Sequence, residues 1–375
     1  MYFGAVMTTI IIGAGASGLA AAISLKQNQP KEKIIILERL SSPGKKILAT
    51  GNGRCNLSNK NAEGFEITKR FFSGLGLMLC EEEQGRIYPY SLKAETVLEI
   101  LLEECRRLGI EIITDCEVIK IEKDLTVHSA KGTFSADSVI VAAGGKAQKS
   151  LGSNGSGYTL LKALGHSVTP LSPALVQLTS SSKYPRAIKG TRTRCNIKIE
   201  INGETKAEEY GEILFTDYGL SGIATMNLSY IAGNNFAKEN PEKCAAVLNL
   251  VPEASEVDLK AHIEKFGNLR GILGSKLSDI IMKQAENNAD RAAKIAKSWR
   301  LIVTGTKGFD FAQITNGGIP LDEVIDFESK YVPNLYICGE LLDKQFPCGG
   351  YNLDFAWTSG IKAAEKITEK RNDKN

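Results

Sequence analysis

The feature that most constrains this chain is an apolar run ending in a glycine-rich turn, TTIIIGAGASG at residues 8–18. Consecutive isoleucines lead directly into Gly13, Gly15 and Gly18, a helical pattern follows, and a second apolar run ends at Glu38, twenty residues after Gly18. This order of strand, turn, helix, strand and acid is typical of a dinucleotide-binding unit. The sequence therefore predicts a Rossmann-like α/β domain built on a parallel sheet.

Each residue of this pattern has a physical role in such a unit. Gly13 permits the tight turn, Gly15 lets the backbone approach a pyrophosphate, and Gly18 lets helix and strand pack closely. We expect the pyrophosphate at the helix N-terminus, because unpaired N–H groups and the helix dipole favour an anion there. Glu38 is expected to accept hydrogen bonds from ribose hydroxyls.

Composition excludes several classes of protein. Hydrophobic residues make up 43% of the 375 residues, charged residues 24%, and the formal net charge is only +3, which is ordinary for a soluble globular protein. No apolar run approaches the length of a membrane span. The N-terminal segment MYFGAVMTT has neither a basic region nor a cleavage site. We expect a cytoplasmic protein that acts on a small molecule, without nucleic acid or membrane, and its oligomeric state is left open.

Few side chains suit acid–base, nucleophilic or metal chemistry. The eight cysteines form no CxxC pair, and His128, His166 and His262 are isolated along the chain. We expect each histidine to be a surface or structural residue, and no metal site is predicted. The chemistry is therefore expected to come from a bound cofactor.

Glycine-ended apolar segments recur at 139–145 and 335–340, far from the first one. Between them, an alternating pattern at 171–248 predicts β-strands, and 249–304 is mainly helical in pattern. These positions predict a discontinuous nucleotide-binding domain at 1–170 and 305–375. A β-rich insert at 171–248 and a helical insert at 249–304 would interrupt it.

The chain returns to the nucleotide site only near its C-terminus. This arrangement resembles the FAD domain of glutathione-reductase-type flavoproteins, whose C-terminal G-D or G-E element closes over the cofactor. Gly339 and Glu340 occupy that place here, and a helix from about Asn352 follows. The dipole of that helix would stabilise negative charge on reduced flavin.

Four longer motifs give a closer match: GKKILATGNGRCNLSN at 44–59, LFTDYGLSG at 214–222, TGTKGFDFAQITNGGIPLDEV at 304–324, and LYICGELLDKQFPCGGYNLDFAWTSG at 335–360. With these motifs, the whole chain resembles the BaiN-like, aminoacetone-oxidase-type flavoprotein family. The resemblance implies FAD as cofactor and three parts, namely an FAD domain, a β-barrel-like insert and a small helical insert. Members are oxidases or reductases of unsaturated ring substrates, so the resemblance leaves the reaction open.

The resemblance also implies a set of cofactor-binding residues. They are Gly13, Ala14, Gly15, Ala16, Ser17 and Gly18 at the pyrophosphate; Glu38 and Arg39 at the ribose; Lys45 and Lys46 at a phosphate or the adenosine end; Asn52, Gly53, Arg54, Cys55 and Asn56 along the ribityl and isoalloxazine side; Val118 at the adenine through its backbone; and Ala143, Gly144, Gly339, Glu340, Gly350, Asn352 and Leu353 around the rest of the cofactor. Arg54 and Tyr351 are the candidates for polar contacts to substrate or flavin. Cys348 stands where the family usually has threonine, and we interpret it as one small residue replacing another.

Three functions remain open at this point. The first is an FAD-dependent oxidoreductase that exchanges a hydride with a small organic substrate and is reset by oxygen or NAD(P)H. The second is an NAD-dependent dehydrogenase, and the third is a flavoprotein with an RNA-associated role. The segment GSNGSG at 152–157 lacks a preceding strand, so we expect a loop there and not a second nucleotide site. NAD(P)H, if it is the donor, would then bind only transiently at the flavin face.

Overall fold

The computed structural model describes residues 6–373 and divides into two compact units. Unit 1 consists of Met1–Thr169 with Thr315–Asn375, and unit 2 is Pro170–Ile314. The first five residues of the segment MYFGAVMTT lie outside the described residues. None of the described helices is long and apolar enough to cross a membrane.

The centre of unit 1 is a seven-stranded sheet in the order β19-β20-β21-β10-β1-β2-β6. Its central strands pair in parallel, with β1 between β10 and β2, while β19 and β20 are antiparallel additions at one edge. The strands are β1 (Thr8–Ile12), β2 (Lys33–Leu37), β6 (Glu111–Ile113), β10 (Ser138–Val141), β19 (Val324–Ile325), β20 (Glu328–Ser329) and β21 (Leu335–Ile337). Burial on both faces explains why β1, β2 and β10 are continuous apolar runs.

Among the described residues, unit 1 also contains two small antiparallel sheets, six α-helices and several short 3-10 helices. The strands are β3 (Ser58–Asn59), β4 (Leu79–Glu82), β5 (Arg86–Pro89), β7 (Val118–Ile121), β8 (Thr126–Ser129) and β9 (Gly132–Ser135). The helices are α1 (Ala16–Asn28), α2 (Lys45–Ala49), α3 (Phe65–Gly74), α4 (Ala94–Arg107), α5 (Ser156–Ala163) and α11 (Tyr351–Asn372).

Helices α1 and α11 pack closely in the core of unit 1. A Cβ on Gly360 of α11 would lie 2.2 Å from the carbonyl oxygen of Ser17 in α1, so only glycine allows this approach. Further along the core, the rings of Phe72 and Trp357 meet edge to face at 5.1 Å. The third turn of α11 is thereby held next to the first turn of α1.

Unit 2 contains a closed six-stranded barrel in the order β12-β15-β14-β13-β16-β17. Its strands are β12 (Leu178–Ser180), β13 (Arg192–Ile201), β14 (Glu204–Phe215), β15 (Gly219–Ser221), β16 (Cys244–Asn249) and β17 (Trp299–Thr306). Short strands β11 (Ser172–Ala174) and β18 (Ile314–Asn316) flank this stretch of the sequence. Strand β13 alternates buried and exposed residues, because one face of the barrel wall packs on the core and the other meets solvent.

The helices of unit 2 are α6 (Lys183–Ala187), α7 (Ile223–Phe236), α8 (Glu256–Phe266), α9 (Ser275–Gln284) and α10 (Ala289–Lys297). Helices α8 to α10 are inserted between β16 and β17, which are neighbours in the barrel. The expected boundary at residue 304 therefore falls inside β17, because the chain must return from the helices to complete the barrel. The prediction of a Rossmann-like domain with a barrel-like insert is confirmed.

Candidate functional site

The glycine-rich turn after β1 has the geometry of a ligand cradle. Gly13 has a φ of +104°, and a Cβ there would lie 2.6 Å from the carbonyl oxygen of Ala142; a Cβ on Gly18 would lie 2.0 Å from the carbonyl oxygen of Gly13. A Cβ on Gly15, by contrast, would meet no described atom within 4 Å. The protein's own packing therefore requires glycine at the first and last positions, while the space beside Gly15 is open for a ligand.

The helix that follows this turn is suited to an anion. Helix α1 begins at Ala16, its N-cap is Gly15, and no side chain caps it. Its first turn also contains no acidic residue. The free N–H groups and the positive end of the helix dipole therefore favour a pyrophosphate at this position.

Glu38 lies at the end of β2, beside the glycine-rich turn. Its Oε2 accepts a hydrogen bond of 2.8 Å from the backbone N–H of Ala14, and its Oε1 accepts one of 2.8 Å from the N–H of Leu40. Each carboxylate oxygen has a second lone pair, so Glu38 can still accept from ribose hydroxyls. The neighbouring Arg39 donates from its guanidinium to the carbonyl oxygen of Gly152 at 3.2 Å.

The two lysines expected near a phosphate have different surroundings. Lys46 forms an ion pair with Glu340, with 2.8 Å between Nζ and Oε2. Its charge is therefore already matched by a carboxylate, and the structure gives no sign that it is reserved for a phosphate. Lys45, at the start of α2, is half-buried.

Glu340 also connects strand β18 to the loop that follows β10. Its Oε1 accepts the backbone N–H of Thr315 at 2.8 Å. The hydroxyl of Thr315 in turn accepts the N–H groups of Lys146 and Ala147, at 2.7 and 3.1 Å. A Cβ on Gly145 would lie 2.4 Å from both the Glu340 carboxylate and the Thr315 hydroxyl, so the loop passes directly against them.

The loop GNGRCN at residues 51–56 contains several residues whose backbone has a left-handed conformation. Gly51, Asn52 and Gly53 have φ values of 57°, 56° and 81°, and Cys55 follows with 57°. The thiol of Cys55 lies in the core of unit 1, and burial raises its pKa to about 12. Any contact of Cys55 with a cofactor would therefore be through backbone atoms, because the side chain points into the core. Asn56 connects this loop to α11, since its amide oxygen accepts the N–H of Gly350 at 3.1 Å.

Arg54, a candidate for substrate contact, is held by neighbouring side chains. Its Nη1 donates to both carboxylate oxygens of Glu82, at 3.0 and 3.1 Å. Its guanidinium also lies 4.4 Å from the ring centroid of Tyr88. The side chain is 42% exposed, but a substrate anion would have to compete with Glu82 for it.

The start of α11 brings together the expected C-terminal residues. Gly350 is the N-cap with a φ of 100°, and a Cβ there would lie 2.3 Å from the carbonyl oxygen of Ser58. Tyr351 is the first helical residue and is half-buried. The side-chain amide of Asn352 donates to the carbonyl oxygen of Phe346 at 2.8 Å and accepts the N–H of Phe346 at 3.0 Å. These two hydrogen bonds stabilise the loop that precedes α11.

The remaining expected residues lie on loops, on the first turns of α1 and α11, and on β7. Gly339 has a φ of +70°, and a Cβ there would lie 2.7 Å from the hydroxyl of Ser17. Ala143 and Gly144 directly follow β10, and Val118 is the buried first residue of β7. Ala14 and Ala16 flank Gly15, and Leu353 is half-buried in the first turn of α11. Thus segments from four distant parts of the sequence meet around the glycine-rich turn.

Two clusters were not anticipated from the sequence. In unit 1, His166 is buried between Glu323 and Ser329, with 2.8 Å from Nδ1 to Oε2 and 2.8 Å from Nε2 to the hydroxyl. In unit 2, the ammonium of Lys307 lies 4.8 Å from the ring centroid of Tyr218 and 4.3 Å from that of Phe311. This second cluster brings together the motif at 214–222 and the motif at 304–324, which are almost ninety residues apart in the sequence. The partners in both clusters are too far apart along the chain for a single sequence to reveal the contacts.

Comparisons with known proteins agree with this geometry. The sequence profile described as "HI0933-like protein Rossmann domain" matches residues 7–71 and 65–366. A 3-dehydro-bile acid delta(4,6)-reductase from Clostridium scindens is 36% identical, over 96% of this chain and 98% of the relative. A ribosomal RNA dihydrouridine synthase from Escherichia coli is 27% identical, over 96% of this chain and 97% of the relative. The structure of a 3-ketosteroid delta1-dehydrogenase from Sterolibacterium denitrificans aligns with a TM-score of 0.54 at 10% identity, over 97% of this chain and 100% of that chain, and shows a shared fold.

Proposed function

This chain belongs to the HI0933-like family and is an FAD-dependent oxidoreductase, and we propose that it reduces a carbon–carbon double bond in the ring of a small organic substrate. The observation that carries the proposal is the 36% identity, over nearly the whole of both chains, to a protein named a delta(4,6)-reductase. A second relative is named a dihydrouridine synthase, a name that also denotes the saturation of a ring double bond.

The chain's own residues would hold FAD in an extended site along the carboxyl edge of the sheet of unit 1. We assign the pyrophosphate to the open space at Gly15 and the first N–H groups of α1, and the adenosine ribose to Glu38. The loop 51–56 and the first turn of α11 would enclose the isoalloxazine ring. When bound, FAD supplies a ring that carries a hydride to or from the substrate.

The residues near that ring would bind and orient the substrate more than react with it. Tyr351 stays the candidate for a polar contact to substrate or flavin, because it begins α11 next to Gly350. Arg54 is the weaker candidate, since Glu82 already binds its guanidinium at 3.0 Å. NAD(P)H would bind only transiently and would reduce the flavin again after each turnover. If the enzyme instead oxidises its substrate, oxygen would be the electron acceptor that reoxidises the flavin.

A second candidate function is the modification of RNA. The 27% identity to a ribosomal RNA dihydrouridine synthase favours it. The net charge of +3 argues against it, because proteins that bind nucleic acid usually have a basic stripe that neutralises phosphates. We therefore rank a small-molecule substrate first. The NAD-dependent dehydrogenase considered from the sequence is not retained, since the enzyme is flavin-dependent.

The test is an anaerobic single-turnover experiment on the FAD-loaded protein. The flavin is photoreduced with EDTA as the electron donor, and its absorbance is followed after addition of ring enones, saturated ketones, amines, hydroxy acids or unmodified ribosomal RNA. We expect rapid reoxidation by a ring enone, and a product that is heavier by two hydrogen atoms. Reoxidation by RNA alone would favour the second candidate, and reduction of oxidised enzyme by an amine or hydroxy acid would favour an oxidase.

A further inference from the structure

The motif YNLDFAW contains a carboxylate to which the proposed function assigns no role. Asp354 lies in the first turn of α11, and only 3% of the residue is exposed. Its Oδ1 accepts hydrogen bonds from the hydroxyls of Ser58 and Thr68, at 2.6 and 2.7 Å. An ideal Cβ on Gly64 would lie 2.5 Å from Oδ2, so backbone closes the other side of the carboxylate.

We propose that Asp354 is a positioning residue that tunes the redox equilibrium of the flavin by opposing the dipole at the start of α11. The inference rests on the proposed function, which assigns the flavin ring to this helix terminus. It attributes the tuning to the negative charge of the carboxylate, and not to the packing of the side chain.

The donors around Asp354 favour the ionised carboxylate. Two hydroxyls and the backbone N–H of Gly64 donate toward it, and a carboxylate is the acceptor-only form of the group. Burial acts in the opposite direction and raises the pKa of Asp354 above its usual 3.8, because removal from water penalises the charge. The three donors thus stabilise the carboxylate against the cost of its burial.

A negative charge in the first turn of α11 would affect the stability of reduced flavin. The N-terminus of α11 has the equivalent of about half a positive charge, which stabilises an anion near its first N–H groups. Flavin reduced by two electrons and one proton has one more negative charge than oxidised flavin. Asp354 is three residues after Tyr351, about 4.5 Å along the helix axis. A negative charge at that depth offsets the dipole and makes reduced flavin less stable, so that reduced flavin gives up its hydride more readily.

The experiment is a redox titration of the FAD-loaded protein against a reference dye, under anaerobic conditions at about pH 8, well above the ordinary pKa of a carboxyl group. Asp354→Asn and Asp354→Ser both remove the charge. Serine keeps a small hydroxyl that can accept from Ser58, so it serves if the asparagine variant does not fold. We expect the ratio of reduced to oxidised flavin at a fixed potential to rise about tenfold, which is about 30 mV for a two-electron couple.

Ile367→Ala is the matched control. Ile367 lies in the core on the same helix, thirteen residues or about 20 Å from Asp354, so its truncation destabilises α11 without a change of charge near its start. We expect this variant to unfold at lower temperature and to keep the wild-type potential. The inference is overturned if either Asp354 variant binds FAD and has the wild-type potential, or if Ile367→Ala shifts the potential equally. A wild-type protein that does not bind FAD would instead overturn the proposed function.

Discussion

The ammonium of Lys46 lies 2.8 Å from the carboxylate of Glu340, a residue 294 positions away in the sequence. The ion pair joins α2 to the segment that follows β21. Glu340 also accepts the backbone N–H of Thr315, so helix α2, strand β18 and the segment after β21 meet at one carboxylate. This contact makes Lys46 a part of the scaffold.

Removal of the Lys46 ammonium should therefore destabilise the protein even without cofactor. We expect Lys46→Met to lower the free energy of unfolding of the apoprotein by about 1 kcal/mol. The side chains of the pair are 25% and 21% exposed, so solvent weakens but does not abolish their attraction. Urea denaturation measures the effect, with Lys45→Met as the control. Equal loss of stability in both variants would show that the ion pair has no structural role.

Gly15 should matter for the cofactor and not for the fold. Its φ of −89° suits any residue, and a Cβ would meet no described atom within 4 Å, so Gly15→Val should leave the apoprotein folded. The added methyl groups would occupy the space of the pyrophosphate. We expect at least about a tenfold loss in FAD affinity, or about 1.4 kcal/mol, by fluorescence titration. Purification of this variant with a full complement of FAD would show that the cofactor binds elsewhere.

Gly18→Val is the informative comparison for that experiment. A Cβ at Gly18 would lie 2.0 Å from the carbonyl oxygen of Gly13, which is backbone and cannot move aside. We expect this variant to fail in folding, as judged by circular dichroism, and not only in FAD binding.

The FAD-loaded protein should form no stable complex with NADH or NADPH. Only one glycine fingerprint follows a strand and opens a helix in this sequence, and we assign it to FAD. Isothermal titration calorimetry of the oxidised holoenzyme should therefore give no micromolar binding, and any flavin reduction by NAD(P)H should saturate weakly. Micromolar affinity for either nucleotide would reveal a preformed second site, and the segment 152–157 would be the first place to mutate.

The buried contact of Glu323 with His166 and Ser167 should make the free energy of unfolding depend on pH in the acid range. Burial alone would raise the pKa of Glu323, but hydrogen bonds from Ser167 and His166 outweigh it and hold the pKa below its ordinary 4.5. A lowered pKa stabilises the folded state above pH 4.5, and that contribution disappears as the pH falls through the folded-state value.

Glu323→Gln should accordingly cost about 1.5–3 kcal/mol at neutral pH, the usual value of hydrogen bonds to a charged group. The difference from wild type should shrink as the pH is lowered below 4.5. Denaturation curves over this range measure it. A difference that stays constant with pH would show that the charge of Glu323 contributes nothing.

The sequence predicted those parts of the site that depend on local backbone geometry. The roles of Gly13 and Gly18 follow from spacing alone, because the contacts that exclude a side chain there come from the turn and from the strand beside it. The parallel pairing of β1 with β2 follows likewise from the strand–helix–strand order. Family resemblance, and not spacing, supplied the choice of FAD over NAD.

Side-chain partners across long sequence separations could not be predicted. Lys46 has the same residue type and exposure class as Lys45, and only the folded chain shows that Glu340 reaches it. Arg54 is similar, since its partner Glu82 comes from a hairpin that no motif connects to it. The boundary expected at residue 304 falls inside β17, because a strand that returns to close a barrel has no sequence mark of its own.

The proposed function requires that reduced flavin in this protein passes its hydride to a ring double bond. Stopped-flow measurement can test this requirement directly, by comparing the rate constants with which a ring enone and dissolved oxygen reoxidise the photoreduced holoenzyme in parallel experiments. We predict faster reoxidation by the enone, with one saturated product formed per flavin. Rapid reoxidation by oxygen, with no turnover of any ring enone, would contradict the proposed function and identify an oxidase.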